Sequence, residues 1–155
     1  ARIVLLKHFD VNGYIFYSNY NSPKAQQIEN NPNGALIFWW YDLAQQVRVE
    51  GKISKVSSEV SDAYFNNRSK LSNIAATISP QSQAIESREE LLSLYEDLKQ
   101  KSESNEQIQR PDTWGGYVLE PDYFEFWQGN HHRLHDRFSY TLSEDGSWDI
   151  QRLAP

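Results

Sequence analysis

A stretch near the end of the chain constrains its fold most strongly. From Phe124 to Phe138 it reads FEFWQGNHHRLHDRF, and apolar and polar residues alternate on both sides of a break that contains Gly129. Successive side chains in a strand point to opposite faces of a sheet, so alternation with a period of two indicates strands. The stretch therefore predicts two strands of an antiparallel sheet joined by a glycine-containing connection.

The second predicted strand places Arg133, His135 and Arg137 on one face, since they are spaced two residues apart. Two guanidinium groups beside an imidazole repel one another unless an anion or an aromatic ring lies among them. One interpretation is a solvated outer face with a carboxylate such as Asp136 as neighbour. The other is a pocket for a phosphorylated or electron-rich ring ligand, and the residues alone leave both open.

Length and composition limit the function classes. A chain of 155 residues suits one domain with its own core. Its formal net charge of −6 does not attract nucleic acid or an anionic membrane surface, so we expect neither as a partner. The sequence has no cysteine, which excludes disulfides and thiolate sites and is compatible with the cytoplasmic location that we expect. It has no apolar run near the ~18 residues that a membrane span requires.

Strand patterns recur along the whole chain. They predict strands over residues 2–10, 14–19, 35–41, 45–56, 117–119, 123–127, 133–142 and 148–153. The strand at 35–41 is nearly all apolar, so we expect it to be buried on both faces. Strands dominate and the helices lie in the connections, which excludes a regular βαβ parallel sheet. The predicted fold class is mainly β, an antiparallel barrel with helical decorations.

Helix signals occupy the connections. Ser22 before Pro23 predicts an N-cap and the first helical position of a short helix. Ser57 or Ser58 caps a second helix, whose predicted apolar stripe is Val60, Ala63 and Tyr64. Residues 66–82 are predicted as a loop with at most a short helix. Ser87 and Glu90 fit a capping box for a third helix, and residues 101–110 are predicted as an irregular connector.

Several motifs together resemble one family. They are WQGxxxRLHDRF with a final RLAP, preceded in the same order by RIVLLK at 2–7, FYSNYNSPKAQQIENNP at 16–32, QVRVEG at 46–51 and WGG at 114–116. This set resembles the pyridoxine (pyridoxamine) 5'-phosphate oxidase family over essentially the whole chain. The resemblance implies a Greek-key FMN-binding split barrel, one domain over 1–155, that forms a homodimer with FMN at the subunit interface. Members of the family carry an N-terminal extension and an earlier strand, which this sequence is expected to lack.

The resemblance also implies a set of site residues. The FMN contacts that it implies are Arg2, Lys7, Tyr17, Ser18, Lys24, Gln46, Gln81, Ser82, Trp127 and Arg137. The substrate contacts that it implies are Lys7, Tyr64, Arg68, Ser72, Arg133 and His135. In the family the last two hold the pyridine ring against the flavin, so Arg133 and His135 are the expected catalytic pair. Ideal strand parity would put Arg2 and Lys7 on opposite faces, so both reach one pocket only if the strand twists or bulges, or if they serve different ligand groups.

The function implied by the resemblance belongs to vitamin B6 metabolism. It is the FMN-dependent oxidation of pyridoxamine 5'-phosphate and pyridoxine 5'-phosphate to pyridoxal 5'-phosphate, with O2 reduced to H2O2. The alternative is a non-catalytic split-barrel relative that binds flavin or pyridoxal phosphate. A metal site at His131, His132 and His135 would require a helix, and Gly129 and the strand alternation argue against one, so no metal is expected.

Five positions depart from the family pattern. Pro23 stands where the family usually has an arginine, so one phosphate contact is expected to be lost. In the segment RSKLSNIAATISPQS, Ser69 replaces a proline, Ala75 a glycine and Thr77 a tryptophan, and Pro80 precedes Gln81. An alanine at a glycine position that needed a positive φ would be strained. We expect this segment to be repacked rather than lost, with weaker FMN retention or altered turnover.

Overall fold

The computed structural model describes residues 1–103 and 108–155. Within these ranges it has seven strands and four α-helices. In chain order they are β1 (Leu6–Asp10), β2 (Gly13–Asn19), α1 (Pro23–Asn30), β3 (Asn33–Trp40), β4 (Gln45–Lys55), α2 (Ser58–Asn67), α3 (Lys70–Ile78), α4 (Arg88–Glu103), β5 (Trp114–Gln128), β6 (Asp136–Leu142) and β7 (Trp148–Leu153). No helix in the described ranges is long and apolar enough to cross a membrane.

The sheet is organised around β5 and its strand pairs are antiparallel. The first half of β5 pairs with β2 and its second half with β6, while β4 pairs along nearly its whole length. The two strands predicted over 117–119 and 123–127 are thus one strand. A register shift between Glu50 and Gly51 lies opposite Pro121, and an irregularity of this kind accommodates a proline within a strand.

One hydrophobic core holds the sheet together. Its buried members are Phe16, Ala25, Val49, Ile53, Tyr117 and Leu119. Partly buried side chains of β3, including Leu36 and Phe38, pack against the same cluster. Because β2, β3, β4, β5 and α1 all turn side chains toward it, the sheet curls around a single core. The predicted mainly β, antiparallel architecture is confirmed.

The strand β3 differs from its prediction. Leu36 and Phe38 pack on the core, but Ile37 is 63% exposed and Trp39 is 51% exposed. The prediction that this strand is buried on both faces is therefore wrong for the single chain. The physical reason is its position, because within residues 1–103 and 108–155 β3 is an edge strand that pairs only with β4, and Ile37 and Trp39 on its outer face are left exposed.

The first helix forms where it was predicted. Ser22 takes an extended backbone and its side chain accepts a hydrogen bond from the amide of Ala25. Pro23 occupies the first turn, where its missing N–H costs nothing. The cap fixes the start of α1 directly after β2, and it thereby sets Lys24 at the end of the strand that carries Tyr17 and Ser18.

The second helix begins at its predicted cap, Ser57, but the predicted stripe of Val60, Ala63 and Tyr64 is wrong. The buried residues are Ser61 and Phe65. The reason is close packing against the glycines of β5, because the Ser61 hydroxyl accepts a hydrogen bond from the Gly116 amide at 3.2 Å and would lie 3.0 Å from a Cβ at Gly115.

The segment 66–82, predicted as a loop with at most a short helix, contains the nine-residue helix α3. Ser69, one of the departures from the family pattern, caps it by accepting a hydrogen bond from the Ser72 amide at 3.3 Å. Ala75 lies inside this helix and its φ is not positive, so the expected strain at that position is absent. The helix α4 continues through Glu103, which removes residues 101–103 from the predicted connector. Residues 104–107 of that connector lie outside the described part of the chain.

Candidate active site

A cavity of about 590 Å³, here called the basic cavity, lies between the N-terminal segment, β2, α2 and α3. Its lining brings together eight of the residues predicted for FMN or substrate. They are Lys7, Tyr17, Ser18, Lys24, Tyr64, Arg68, Ser72 and Gln81. Among the described residues, none that lines this cavity is acidic, although the whole chain carries a net charge of −6.

Lys24 provides one cationic corner of the basic cavity. Its Nζ donates to Ser18 Oγ at 2.5 Å, to Ser22 Oγ at 3.2 Å and to Gln81 Oε1 at 3.2 Å. These partners are neutral, so no carboxylate among them cancels the charge. Burial lowers the pKa of Lys24, and the nearby positive charge of Arg2 lowers it further. An ammonium group in such surroundings, at the start of a helix, favours an anionic ligand.

Arg68 provides a second cationic corner, at the end of α2. Its guanidinium carbon lies 4.6 Å from the ring centroid of Trp114, and its Nη1 is buried without a hydrogen-bond partner among the described residues. Burial lowers the pKa of Arg68. A guanidinium held against an aromatic face with a donor unused is prepared to bind an anion.

Stacked rings form the wall behind Arg68. Tyr17 and Tyr64 are stacked at 3.8 Å between centroids, and Tyr17 and Trp114 at 5.2 Å. Gly116 permits this, since a Cβ there would lie 2.9 Å from the Tyr17 ring. Trp114 is therefore a site residue that the sequence analysis missed, although it begins the WGG motif that the analysis singled out.

The start of α3 supplies hydroxyl groups to the same cavity. Ser69 Oγ and Ser72 Oγ are 2.8 Å apart, and both residues line it. Arg68, Ser72 and Gln81 all line the cavity, although four residues of the segment, Ser69, Ala75, Thr77 and Pro80, differ from the family pattern.

A second group of predicted residues lies elsewhere on the sheet. Gln46, Trp127 and Arg137 are directly opposite one another on β4, β5 and β6, and are here called the cross-strand row. The ring centroids of His135 and Trp127 are 4.7 Å apart. The ring centroids of Trp39, on β3, and Trp127 are 5.9 Å apart. The row thus presents an amide, a large ring, an imidazole and a guanidinium side by side.

The predicted strand position of Arg133 and His135 is wrong. β6 begins at Asp136, and residues His131–Arg133 form a 3₁₀ turn in which His132 and Arg133 have φ of 59° and 62°. Asn130 fixes this turn, because its amide donates to His135 Nδ1 at 3.2 Å and its side chain to Asp136 at 2.7 Å. His135 reaches Trp127 through the turn rather than by strand alternation, and Arg133 is exposed.

Two predicted flavin contacts belong neither to the lining of the basic cavity nor to the cross-strand row. Arg2 precedes β1, so strand parity does not govern it, and its guanidinium donates to Gln27 at 2.6 Å. Ser82 follows Gln81 with a φ of 67°. Across residues 1–103 and 108–155, no cluster of three histidine, cysteine or acidic side chains could hold a metal ion.

Glu125 is the other residue that the sequence analysis missed. It lies on β5 and its carboxylate accepts from Arg137 Nε at 2.8 Å and from Arg48 Nη2 at 2.9 Å. The hydrogen bond from Arg137 is the main cause that lowers the pKa of Glu125. The available signal was its spacing, since a residue two positions before Trp127 in a strand shares its face.

The basic cavity and the cross-strand row are far apart along the chain's own sheet. Gly116, opposite Tyr17, and Trp127, opposite Arg137, are eleven residues apart on β5. At ~3.3 Å per residue this is roughly 36 Å of strand length, so the two groups lie towards opposite ends of β5.

Comparison with known proteins shows two family matches. Residues 1–101 match the family described as pyridoxamine 5'-phosphate oxidase. Residues 114–155 match the pyridoxine 5'-phosphate oxidase C-terminal dimerisation region.

Curated relatives match along nearly all of the chain. The pyridoxine/pyridoxamine 5'-phosphate oxidase of Trichormus variabilis is 49% identical over 155 residues, which cover 100% of this chain and 72% of the relative. That of Crocosphaera subtropica is 51% identical over 156 residues, covering 99% and 72%.

Solved structures show the same fold. PhzG from Burkholderia lata 383, in complex with tetrahydrophenazine-1-carboxylic acid, superposes with a TM-score of 0.92 at 25% identity over 99% of this chain and 74% of that one. A pyridoxamine 5'-phosphate oxidase-related, FMN binding protein from Nostoc punctiforme gives 0.79 at 16% identity over 99% and 79%. The barrel is therefore the split barrel of these proteins.

Proposed function

Because the chain belongs to the pyridoxine/pyridoxamine 5'-phosphate oxidase family, an FMN-dependent family of oxidoreductases, we propose that it oxidises pyridoxamine 5'-phosphate and pyridoxine 5'-phosphate. The product is pyridoxal 5'-phosphate, and O2 is reduced to H2O2. With pyridoxamine 5'-phosphate, water supplies the aldehyde oxygen and the amine leaves as ammonia. The observation that carries the proposal is the basic cavity, where Lys7, Lys24 and Arg68 converge among hydroxyl groups without an acidic neighbour in its described lining. Such a site suits two phosphate monoesters, one on the cofactor and one on the substrate.

The residues around Lys24 fit the phosphate of FMN. Lys24 meets Ser18 and Gln81 at the start of α1, where the first amides of the helix and its dipole favour negative charge. Arg2 is close enough to lower the pKa of Lys24 and would add a second positive charge.

The residues around Arg68 fit the phosphate of the substrate. Arg68 keeps one donor unpaired against Trp114, and Tyr64 and Ser72 line the same part of the cavity. Lys7 lies on the same lining and would share the charge of this phosphate. The guanidinium binds through two parallel donors and the hydroxyl groups complete the contacts, which fixes the ester end of the substrate.

The cross-strand row fits the flavin ring and the pyridine ring. FMN, when bound, supplies the centre that accepts a hydride from the substrate C4' carbon and that O2 reoxidises. The Asn130 amide donates to His135 Nδ1, so a neutral imidazole carries its proton on Nε2. His135 is thereby oriented to hold or move a proton at the pyridine ring, and Arg133 is free to bind the ring oxygen.

The proposed active unit is a homodimer in which each site takes the basic cavity from one chain and the cross-strand row from the other. The distance along β5 supports this arrangement, as does the match of residues 114–155 to a dimerisation region. The exposed Ile37 and Trp39 of β3 form an apolar surface of the kind that protein partners cover. Residues 1–155 then act as one split-barrel domain.

The proposal is tested by an absorbance spectrum of the purified chain reconstituted with FMN. Anaerobic addition of pyridoxamine 5'-phosphate should bleach the flavin band, and air should restore it with release of peroxide. A flavin band that does not respond to the substrate would contradict the oxidase and support the non-catalytic binding protein. That alternative is favoured by one observation, the changed segment between Ser69 and Pro80 that borders the cavity.

A further inference from the structure

A buried carboxylate joins two arginines beside the cross-strand row. Glu125 is only 4% exposed, and each of its oxygens accepts from a different guanidinium. Oε1 lies 2.8 Å from Arg137 Nε, and Oε2 lies 2.9 Å from Arg48 Nη2. A buried charge is tolerated only when it is paired and hydrogen-bonded, and here both oxygens are.

This carboxylate fixes the orientation of Arg137. A second contact, from Arg137 Nη1 to the carbonyl oxygen of Ala154 at 2.8 Å, holds the other side of the same group. Because a guanidinium is planar, two contacts at Nε and Nη1 leave it a single orientation. Arg137 remains partly exposed, so the edge that these contacts leave free is available to a ligand.

Arg48 holds the carboxylate in turn. Besides Glu125 it contacts Glu50, and its guanidinium carbon lies 5.1 Å from the Tyr123 ring centroid. Glu125 therefore cannot rotate away from Arg137 without giving up a second ion pair. The cluster of two arginines and two glutamates is neutral overall, so a ligand at Arg137 meets a well-oriented donor rather than an excess of charge.

We propose that Glu125 is a positioning residue for Arg137 and thereby sets the affinity of the cross-strand row for FMN. The inference rests on the proposed function only in that FMN is the ligand of the row. It assigns Glu125 a role in cofactor binding, whereas a purely structural ion pair would affect stability alone.

The test compares two identical substitutions in the cluster. Glu125→Gln removes the charge that orients Arg137, while Glu50→Gln removes a charge that contacts Arg48 but not Arg137. FMN affinity is measured on the dimeric protein by quenching of flavin fluorescence, with thermal unfolding recorded without flavin. We expect Glu125→Gln to weaken FMN binding about tenfold to a hundredfold, the range of a charge-assisted hydrogen bond, and Glu50→Gln to change it less than about twofold.

A double-mutant cycle shows whether Glu125 acts through Arg137. Arg137→Lys should weaken FMN binding, and adding Glu125→Gln to it should weaken binding little further. The inference is overturned if folded Glu125→Gln binds FMN as the unchanged protein does, or if the two effects add in full. It is also overturned if the unchanged dimer does not bind FMN. Binding without turnover would contradict the proposed oxidase but leave this test intact.

A conservative variant keeps the test available if Glu125→Gln does not fold. Glu125→Asp retains the charge but shortens the side chain by one methylene, so it cannot bridge Arg48 and Arg137 at the present distances. We expect this variant to fold and to bind FMN more weakly, with an altered visible circular dichroism of the bound flavin. Unchanged affinity and an unchanged flavin spectrum in Glu125→Asp would overturn the inference.

Discussion

Replacing Arg68 should separate substrate binding from stability. Arg68 lies over Trp114, and its buried Nη1 has no hydrogen-bond partner in the described chain. In the ligand-free protein, burying this unpaired donor therefore lowers the free energy of unfolding. Methionine has a similar length, is apolar and packs well on an aromatic ring. We therefore expect Arg68→Met to weaken substrate binding strongly while leaving the protein without ligand as stable as before, or more stable.

The magnitudes follow from the contacts that change. Charge-assisted hydrogen bonds to a phosphate contribute about 1.5–3 kcal/mol, so kcat/KM should fall roughly 10- to 150-fold. In the ligand-free protein, removing an unsatisfied donor gains about 1–3 kcal/mol and losing the contact with Trp114 costs about 0.5–2 kcal/mol. Taken at their midpoints, these two contributions leave a net gain of less than ~1 kcal/mol, so the melting temperature should change by no more than a few degrees, at roughly 2–4 °C for each kcal/mol.

The assay combines peroxide production over a range of pyridoxamine 5'-phosphate concentrations with thermal unfolding of the flavin-free chain. Lys55→Met is a suitable control, because Lys55 lies 4.6 Å from the Tyr20 ring centroid but does not line the basic cavity. It should lose a similar cation–ring contact, together with an exposed ion pair to Glu29 at 3.0 Å, without any change in kcat/KM.

Two results would refute the account of Arg68. Unchanged kcat/KM in Arg68→Met would show that this guanidinium does not bind the substrate. A fall in melting temperature well beyond that of the Lys55 control would show that it supports the fold, and that its unpaired donor is not a cost.

Three further predictions concern other parts of the site. Pro23→Arg should tighten FMN binding several-fold by placing a cation at the start of α1. An FMN titration that shows no gain in affinity would contradict the proposal that Pro23 costs the chain a phosphate contact. Ser69→Ala should lower the free energy of unfolding by about 1 kcal/mol through loss of the α3 cap, and denaturant unfolding measures this. Since the pKa of Glu125 is lowered in the folded chain, its stabilising effect is present above its unfolded pKa and is lost as pH falls through the folded value. Glu125→Gln should therefore flatten the acid side of the stability curve, below about pH 4, in a series of thermal melts.

Local chemistry made part of the structure predictable. Ser22 before Pro23 is typical of a helix start, and α1 begins there. The alternation along residues 45–56 predicts a strand whose Val49 and Ile53 side chains face the core, and both are buried there. In such segments propensity, capping and hydrophobic period agree, so the sequence alone is sufficient.

Tertiary contacts decided the rest. The turn at His131–Arg133 depends on hydrogen bonds from Asn130, which no alternation pattern reveals. The small residue Ser61 lies on the buried face of α2, where it contacts Gly116 of β5. The outer face of β3 is apolar yet exposed, because a single chain leaves that edge uncovered.

The candidate site shows the same division. The family resemblance predicted the FMN and substrate contacts, and eight of these residues line the basic cavity. Trp114 and Glu125 act through other side chains, so no motif marks them as ligands. Their roles became visible only with the ring stacking and the ion pairs in place.

The most direct test of a site shared between two chains is complementation between two impaired variants, assayed at substrate concentrations well below KM. Arg68→Met impairs the basic cavity, and Arg133→Ala removes the proposed catalytic arginine next to the cross-strand row. If each site combines the two halves from different chains, a mixed dimer contains one intact site. Random mixing of equal amounts should then restore about a quarter of the unchanged activity. If mixtures that form mixed dimers show no more activity than the two impaired variants measured separately, the shared site is contradicted.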